Sequence, residues 1–480
     1  MMFGLRKRRL PLAGRMSLAM TGFLASAGIH SAPWEFGATI DLAGVYTDNI
    51  LLTEGADQQS ETIYSISPIF SASTDGDRLE ADFQYSPQAN FYKEFSDADQ
   101  VYHSLDASLV TTIVRDAVFV YASATKTQSI VTPDASIPTT NIPITANRID
   151  ARVLELRPYW QQDLGFANLL AEVSYFDIKY DELDETEQDF YQNNDEKRIN
   201  FSLDNYERQQ GLAWGVAYRR QAVEYEEALP WKYQRATASL GFWINGSLRL
   251  FASGGAETAF DNILAGDMDD TFWEGGFQYR PNPRVDIELA AGERSFGESY
   301  RGRLSYEYRR GTTSISYSEE PSTLGQAIGN VRPIRRDDNI DELLGRPGAT
   351  DRFLRKRGEW STTVGLAKSN LSFRFLFEQR EQRSTDAGLP LTDEDYVGGA
   401  VRWTWDIGSR STFSASTDYF VRETQAIDSE LTRYAMDYAY RFAQRLSIVF
   451  LVQRSQEEGR VSSAGDYTEN QFRITLRTEF

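Results

Sequence analysis

Apolar residues recur at every second position along most of the chain. At its C-terminal end Phe472, Ile474, Leu476, Thr478 and Phe480 share one parity, and Gln471, Arg473, Thr475, Arg477 and Glu479 share the other. A period of two marks a strand with one apolar and one polar face. The alternation is clearest where Leu79, Ala81, Phe83, Tyr85, Pro87, Ala89 and Phe91 oppose Glu80, Asp82, Gln84, Ser86, Gln88 and Asn90. It begins with Trp34, Phe36, Ala38, Ile40, Leu42, Gly44 and Tyr46 and reaches Phe480 without a linker that would divide it.

Turn signals separate these stretches. Short ones fall at Asp75–Arg78, Arg115-Asp116, Asp163–Gly165, Gln210-Gly211, Asn245-Gly246, Pro281–Pro283, Gly311, Ser369-Asn370, Gly408-Ser409 and Ala443-Gln444. Between them come mostly longer polar segments, at Val131–Asn147, Asp181–Lys197, Asn262–Asp269, Glu320–Asp351, Ser384–Glu394 and Glu457–Ala464. Strict alternation of short and long connections predicts an up-and-down arrangement with short turns on the periplasmic side and loops outside. The predicted strands run ~11–15 residues, against ~5–6 in soluble proteins, and that length crosses a bilayer at a tilt of ~45°. A pair of soluble β-sandwiches is the alternative, and strand length weighs against it. In lipid only a closed barrel satisfies every backbone group, and closure removes the edges that would aggregate. The expectation is therefore all-β: one transmembrane antiparallel up-and-down β-barrel over residues 33–480, of about 22 strands, or 20 or 24 if a hairpin is merged or missed.

Composition sharpens this picture in three ways. Among 480 residues there is no cysteine, which removes disulfides, thiol nucleophiles and zinc–thiolate sites. No stretch reaches ~18 consecutive apolar residues, the length of a helical membrane span. The first residues read as a secretory leader, 1–27: a basic Arg6-Lys7-Arg8-Arg9, an apolar Met16–Leu24 and a small-residue cleavage site at Ala25-Ser26-Ala27, with His30-Ser31-Ala32 as a later alternative. The implied location is the outer membrane of a Gram-negative bacterium.

The stretch from Gly37 to Ser129 contains YTDN after the first strand, SP within the second, the strand DFQYSPQANFY, and HSLDASL followed by RDAVFVYASA. These features resemble the N-terminal region of outer-membrane proteins associated with the PEP-CTERM/exosortase sorting system. The likeness covers about a fifth of the chain. It implies an envelope setting beside exopolysaccharide export, with a polysaccharide or periplasmic export partner, and it carries no catalytic motif.

The polar parity supplies the candidate chemistry. Arg157, Arg219, Arg235, Arg249, Arg303, Arg309, Arg374, Arg402, Arg441, Arg473 and Arg477 all sit opposite apolar neighbours, and Glu155, Glu274, Asp286, Glu288, Glu307, Glu378, Asp406 and Asp418 share their parity. In a barrel they line the lumen, either as a path for a polar or anionic solute or as interior ion pairs that stiffen the wall. Catalysis is not expected. His30 lies at the leader, and His103 shares parity with Leu105 while Asp106 faces the other way, so no Ser-His-Asp arrangement forms along the strand. No cofactor or metal is implied. The acid-rich segment Asp181–Lys197 has no calcium-loop spacing and reads as a solvated loop, with a cation bridge to lipopolysaccharide as the alternative. Tyr85, Phe91, Trp160, Trp214, Tyr218, Trp243, Trp360, Trp403, Trp405 and Phe420 suit interfacial aromatic girdles. Phe472, Ile474, Leu476 and Phe480 match the terminal assembly signature read by the barrel-assembly machinery. A net charge of -20 speaks against nucleic acid as a partner.

Two functions fit: passage or export of a polar solute, and a structural or adhesive barrel with a filled, non-conducting lumen. A siderophore-type receptor is not expected, because such receptors carry a long N-terminal plug before the first strand. The longest loop, Glu320–Asp351, holds Pro321, Pro333, Pro347 and a short helix candidate at Asp337–Gly345. It is expected to fold over or into the mouth and set the aperture, with a flexible outside loop as the alternative.

Overall fold

The computed structural model describes residues 33–129, 136–145, 148–180, 193–206, 210–226, 230–259, 266–323, 352–381, 393–424, 428–459 and 466–480. They form β1 (Glu35–Thr47), β2 (Glu61–Asp75), β3 (Leu79–Tyr92), β4 (Gln100–Val114), β5 (Val118–Ser129), β6 (Ile149–Asp163), β7 (Asn168–Tyr180), β8 (Asn194–Asp204), β9 (Gly211–Tyr225), β10 (Trp231–Asn245) and β11 (Leu248–Glu257). The second half comprises β12 (Asp270–Asn282), β13 (Val285–Arg294), β14 (Gly297–Tyr308), β15 (Gly311–Thr323), β16 (Arg352–Gly365), β17 (Ser369–Glu381), β18 (Glu394–Asp406), β19 (Ser411–Thr424), β20 (Asp428–Ala443), β21 (Leu446–Gly459) and β22 (Tyr467–Glu479). Each strand pairs antiparallel with its sequence neighbours in one 22-stranded sheet.

The sheet closes on itself. β1 pairs with β22 from Thr39↔Glu479 to Thr47↔Gln471. Inside this seam both Asp41 oxygens accept from Arg477 at 2.8 Å, and Thr47 donates to Glu469 at 2.8 Å. Asn470 donates through its backbone and side-chain nitrogens to the Asp48 carboxylate, each at 2.7 Å, and the Phe480 N–H reaches the Ala38 carbonyl at 2.8 Å. The first and last strands are thus joined by side chains as well as by the ladder.

Strand parity sorts the two faces. Outside, Leu240, Phe242, Trp273, Phe450, Val452, Phe472, Ile474 and Leu476 are exposed, and Phe480 is 63 % exposed. Inside, Asp41, Glu257, Gln278, Arg294, Glu378, Arg380 and Gln471 are buried. An apolar band outside and ionic groups inside are the inverse of a soluble core, and they make this an outer-membrane β-barrel. His103 faces outward, where its Nδ1 lies 2.7 Å from the Tyr85 hydroxyl.

The rim with short connections is built on side-chain-capped turns. The Gly165 N–H donates to Asp163 at 2.7 Å with Gly165 at φ +80°, and Asn245 accepts from Ser247 and Leu248. Asp116 takes the left-handed region at φ 58°, which Asp tolerates. The alternation of short and long connections is not strict. On the loop-bearing rim only Ser295 and Phe296 join β13 to β14, with Gly297 at φ +110°. The reason is local: Phe296 turns into the barrel and packs with Val223, Trp231, Tyr233 and Leu354. β8 also begins within the acid-rich stretch, so Asp195, Glu196 and Lys197 belong to a strand; 181–192 lie outside the described residues, as do 1–32, where the leader is expected, and 324–351.

Two measurements test this architecture. Cysteine at Arg402 should react with a small aqueous thiol reagent, while cysteine at Val401 should not; reversed labelling would overturn the inward–outward assignment. Arg477→Ala removes the two-pronged guanidinium contact from the almost fully buried Asp41 carboxylate. The cost should be about 3–5 kcal/mol, read as a marked drop in the temperature at which the folded band converts on a heat-modifiability gel.

Candidate permeation pathway

The inward parity of β10 to β20 carries arginines and carboxylates that pair across neighbouring strands. Arg294 donates to Glu257 at 2.9 Å and to the Glu319 carbonyl at 3.0 Å, and Tyr233 donates to the same Glu257 at 2.7 Å. Arg301 bridges Glu274 at 3.0 Å and Glu288 at 2.5 Å, while Arg303 and Arg280 share Asp286, both at 3.0 Å. Further round, Arg357, Glu378, Arg380, Glu394 and Arg422 alternate in sign across β16 to β19, with contacts of 3.3, 2.8, 3.7 and 3.3 Å. Arg380 is 2 % exposed, with its guanidinium 4.9 Å from the Phe353 ring and 4.6 Å from that of Tyr396. Planar guanidinium suits this setting, because it stacks and bonds at once.

The sequence candidates fall into several settings. Arg157 contacts Glu155 and Glu172, Arg374 contacts Glu359 at 3.0 Å, Arg303 holds Asp286, and Arg477 holds Asp41. Arg235 stacks on Phe272 at 4.0 Å, with Glu257 at 3.9 Å. Arg402 and Arg473 are half-buried on the inward face. Arg219 is exposed to the lumen, whereas Asp406 and Arg441 mark the short-turn rim, where Thr412 donates to Asp406 at 3.2 Å. Arg309 lies in the turn after β14. Arg294, Arg301, Arg380, Arg422 and Arg433 were not picked out from sequence, although Arg301 shares the parity of Arg303 and Arg433 that of Arg441. Parity alone would have found them.

Two expected girdle aromatics face inward instead. Phe420 has the parity of Asp418, which pairs with Arg433 at 2.5 Å, and is 1 % exposed. Trp243 lies under the Arg249 guanidinium at 5.7 Å. Residue type suggested the membrane for both; strand register overrides it.

Phe420 is buried because the lumen contains an apolar patch that loops cover. Leu376, Tyr396, Phe420, Leu431 and Tyr467, on the inner wall of β17 to β22, pack with Leu52 from the β1–β2 loop and Ile137 from the β5–β6 connection. Residues 136–145 of that connection run inward along the wall. The Ile137 N–H donates to Glu457 at 2.8 Å, and Tyr467 donates to the Ile137 carbonyl at 2.5 Å. Gln453 donates to Thr139 at 2.8 Å, Asn90 to the Asn141 carbonyl at 2.7 Å, and Tyr92 to the Ile142 carbonyl at 2.9 Å. The Ile144 N–H reaches the Ile50 carbonyl at 2.9 Å, and Ile50, Ile137 and Ile142 are fully buried. Arg148 binds back to Asn141 and Thr140. The segment is held by polar contacts to β3, β21 and β22 and by the apolar patch beneath it. Residues 324–351 of the longest loop, expected to fold over the mouth, lie outside the described residues; the described segment 136–145 lies against the inner wall.

Across the lumen, the wall of β8 to β13 is lined by small side chains: Ser202, Gly215, Ala217, Thr237, Ser239 and Ser253. They leave a recess of about 440 Å³ edged by Arg235, Arg249, Arg301 and Phe251. Tyr206 bonds Ser239 within it, and a Cβ on Gly215 would collide with the Tyr206 ring. Among the described residues no group of acids and histidines is arranged to hold a metal ion.

No family model matches the chain, and no curated protein matches it. Among solved structures it is similar to the siderophore receptor PirA from Pseudomonas aeruginosa, at 9 % identity and a TM-score of 0.46 over 94 % of this chain and 81 % of that one. It is similar to a mutant of the ferric enterobactin receptor PfeA from Pseudomonas aeruginosa, at 8 % identity and 0.48 over 94 % and 81 %. OccK3 (OpdO) from Pseudomonas aeruginosa matches at 10 % identity and 0.33 over 93 % and 96 %. The barrel assignment rests on the strand pairing of this chain.

Proposed function

We propose that the barrel gives passage to a polar solute, with residues 136–145 forming one side of its narrowest point. The observation that carries this reading is the contrast between the two inner walls. One is covered by a tethered, partly apolar segment, and the other is a recess of small residues edged by arginines and carboxylates. Fixed charges of both signs along a wall replace part of the hydration of a polar solute while holding it weakly enough to leave. The resemblance of residues 37–129 supports a setting beside exopolysaccharide export, with a polysaccharide as the solute and a periplasmic export partner to deliver it. Insertion by the barrel-assembly machinery through Phe472, Ile474, Leu476 and Phe480 belongs to the same proposal. The second reading, a structural barrel with a filled lumen, is favoured by the inward loops themselves.

Conductance in a planar bilayer separates the two. The passage reading expects steady ion current from the wild-type protein; a correctly folded, inserted barrel that carries none leaves the filled-lumen reading. Replacing residues 138–144 with a short Gly-Ser link should raise conductance, and Glu457→Ala, which frees the Ile137 N–H, should raise it less. Unchanged conductance in the loop replacement would show that the segment does not limit the path.

A further inference from the structure

The outer surface carries an arrangement that neither the lumen nor the fold uses. Lys126 on β5, Arg152 on β6 and Lys179 on β7 point outward and stand in register, Lys126 opposite Arg152 and Arg152 opposite Lys179. Like charges directly opposite on adjacent strands destabilise a sheet. The outer two are partly compensated: Lys126 contacts Asp150 at 2.7 Å and Lys179 contacts Asp177 at 3.7 Å. Arg152, between them, has no ion-pair partner among the described residues, and its Nε is buried without a hydrogen bond.

Their height on the barrel is informative. Below Lys126 the outward positions of β5 are Ala124, Ala122, Val120 and Val118. At ~3.4 Å per residue and a tilt of ~40°, Lys126 stands roughly 20 Å above Val118, near the top of an apolar band about 25 Å tall. This is the level of the lipid headgroups on the loop-bearing side. The basic row is confined to one arc, because the outward rim of β17 to β21 carries Glu381, Asp395, Glu423, Glu430 and Glu458. A generic anchoring ring would not change sign around the barrel.

We propose that Lys126, Arg152 and Lys179 form a binding site for the phosphate of an outer-leaflet glycolipid headgroup. A phosphate oxygen fan accepts from the Arg152 fork and from an ammonium on each side, which turns in-register repulsion into a shared contact. Apolar neighbours beneath the row, Ala124 and Leu154, face the acyl chains. The recognised group is thus an anionic phosphate joined to a lipid, and the acidic arc opposite would exclude it unless a cation intervened.

The test titrates the full-length protein in a non-ionic detergent with purified phosphorylated lipid A and with its dephosphorylated form, read by native mass spectrometry. Wild type should prefer the phosphorylated lipid. Each cation removed should weaken binding about fivefold, so Lys126→Gln/Arg152→Gln/Lys179→Gln should lose about a hundredfold. Equal binding of the two lipids by wild type, or wild-type affinity in a folded triple variant, overturns the proposal. Should the triple variant fail to fold, Arg152→Gln alone decides, since it breaks no ion pair. It should bind about fivefold more weakly and, without lipid, unfold at the wild-type temperature or above. Unfolding at a lower temperature would mean that Arg152 serves the fold and not a ligand.

Discussion

Inside a bilayer no water is available to an unpaired N–H or carbonyl, and each unmet group costs several kcal/mol. The pairing of β1 with β22 is therefore the contact on which the rest depends. Every other strand has neighbours made by adjacent sequence, whereas this pair joins residues more than four hundred apart. Its ladder is reinforced from the lumen by Asp41–Arg477, Thr47–Glu469 and Asp48–Asn470. The buried Asp41 carboxylate makes the seam discriminating: it favours a partner strand that presents a cation at that level.

Closure also decides what the interior can be. The outward side chains meet lipid and need no specific partner, but those inside cannot all reach water once loops fold over them. The answer here is to let neighbouring strands neutralise one another, as in the Arg357–Glu378–Arg380–Glu394–Arg422 series. Such a series adds little stability over an apolar wall of equal volume, yet it fixes register, because a slip of one residue would send every charge into lipid. The recess beside Arg249 shows the complementary device. Glycine and serine withdraw from the lumen, and the recess they leave is edged by Arg235, Arg249 and Arg301.

Much of this was legible in the chain. A strict period of two located the strands, the turn residues counted them, and parity placed Arg402 and Arg477 inside and Ile474 and Phe472 outside. The failures share one cause. Trp243 and Phe420 were placed by what tryptophan and phenylalanine usually do in membranes, against their own register. The β13–β14 turn is easily missed because only two residues make it, and Gly297 at φ +110° together with the packing of Phe296 against Trp231 and Leu354 accounts for so abrupt a reversal. The covering of the inner wall by residues 136–145 had no periodic signature at all. It depends on Glu457, Tyr467 and Gln453, which no local pattern connects to Ile137 and Thr139.

That last dependence has a bearing on the order in which the protein acquires its shape. Ile137 is separated from Glu457 by 320 residues, and Thr139 from Gln453 by 314. The connection between β5 and β6 is made early in synthesis, but the surface that receives it consists of the last two strands together with β3, brought side by side only when the ring is complete. Until then the segment lacks the surface that receives it. Seating of residues 136–145 on that wall therefore depends on closure of the ring, and a barrel arrested before its final hairpin docks would leave them without their receiving surface.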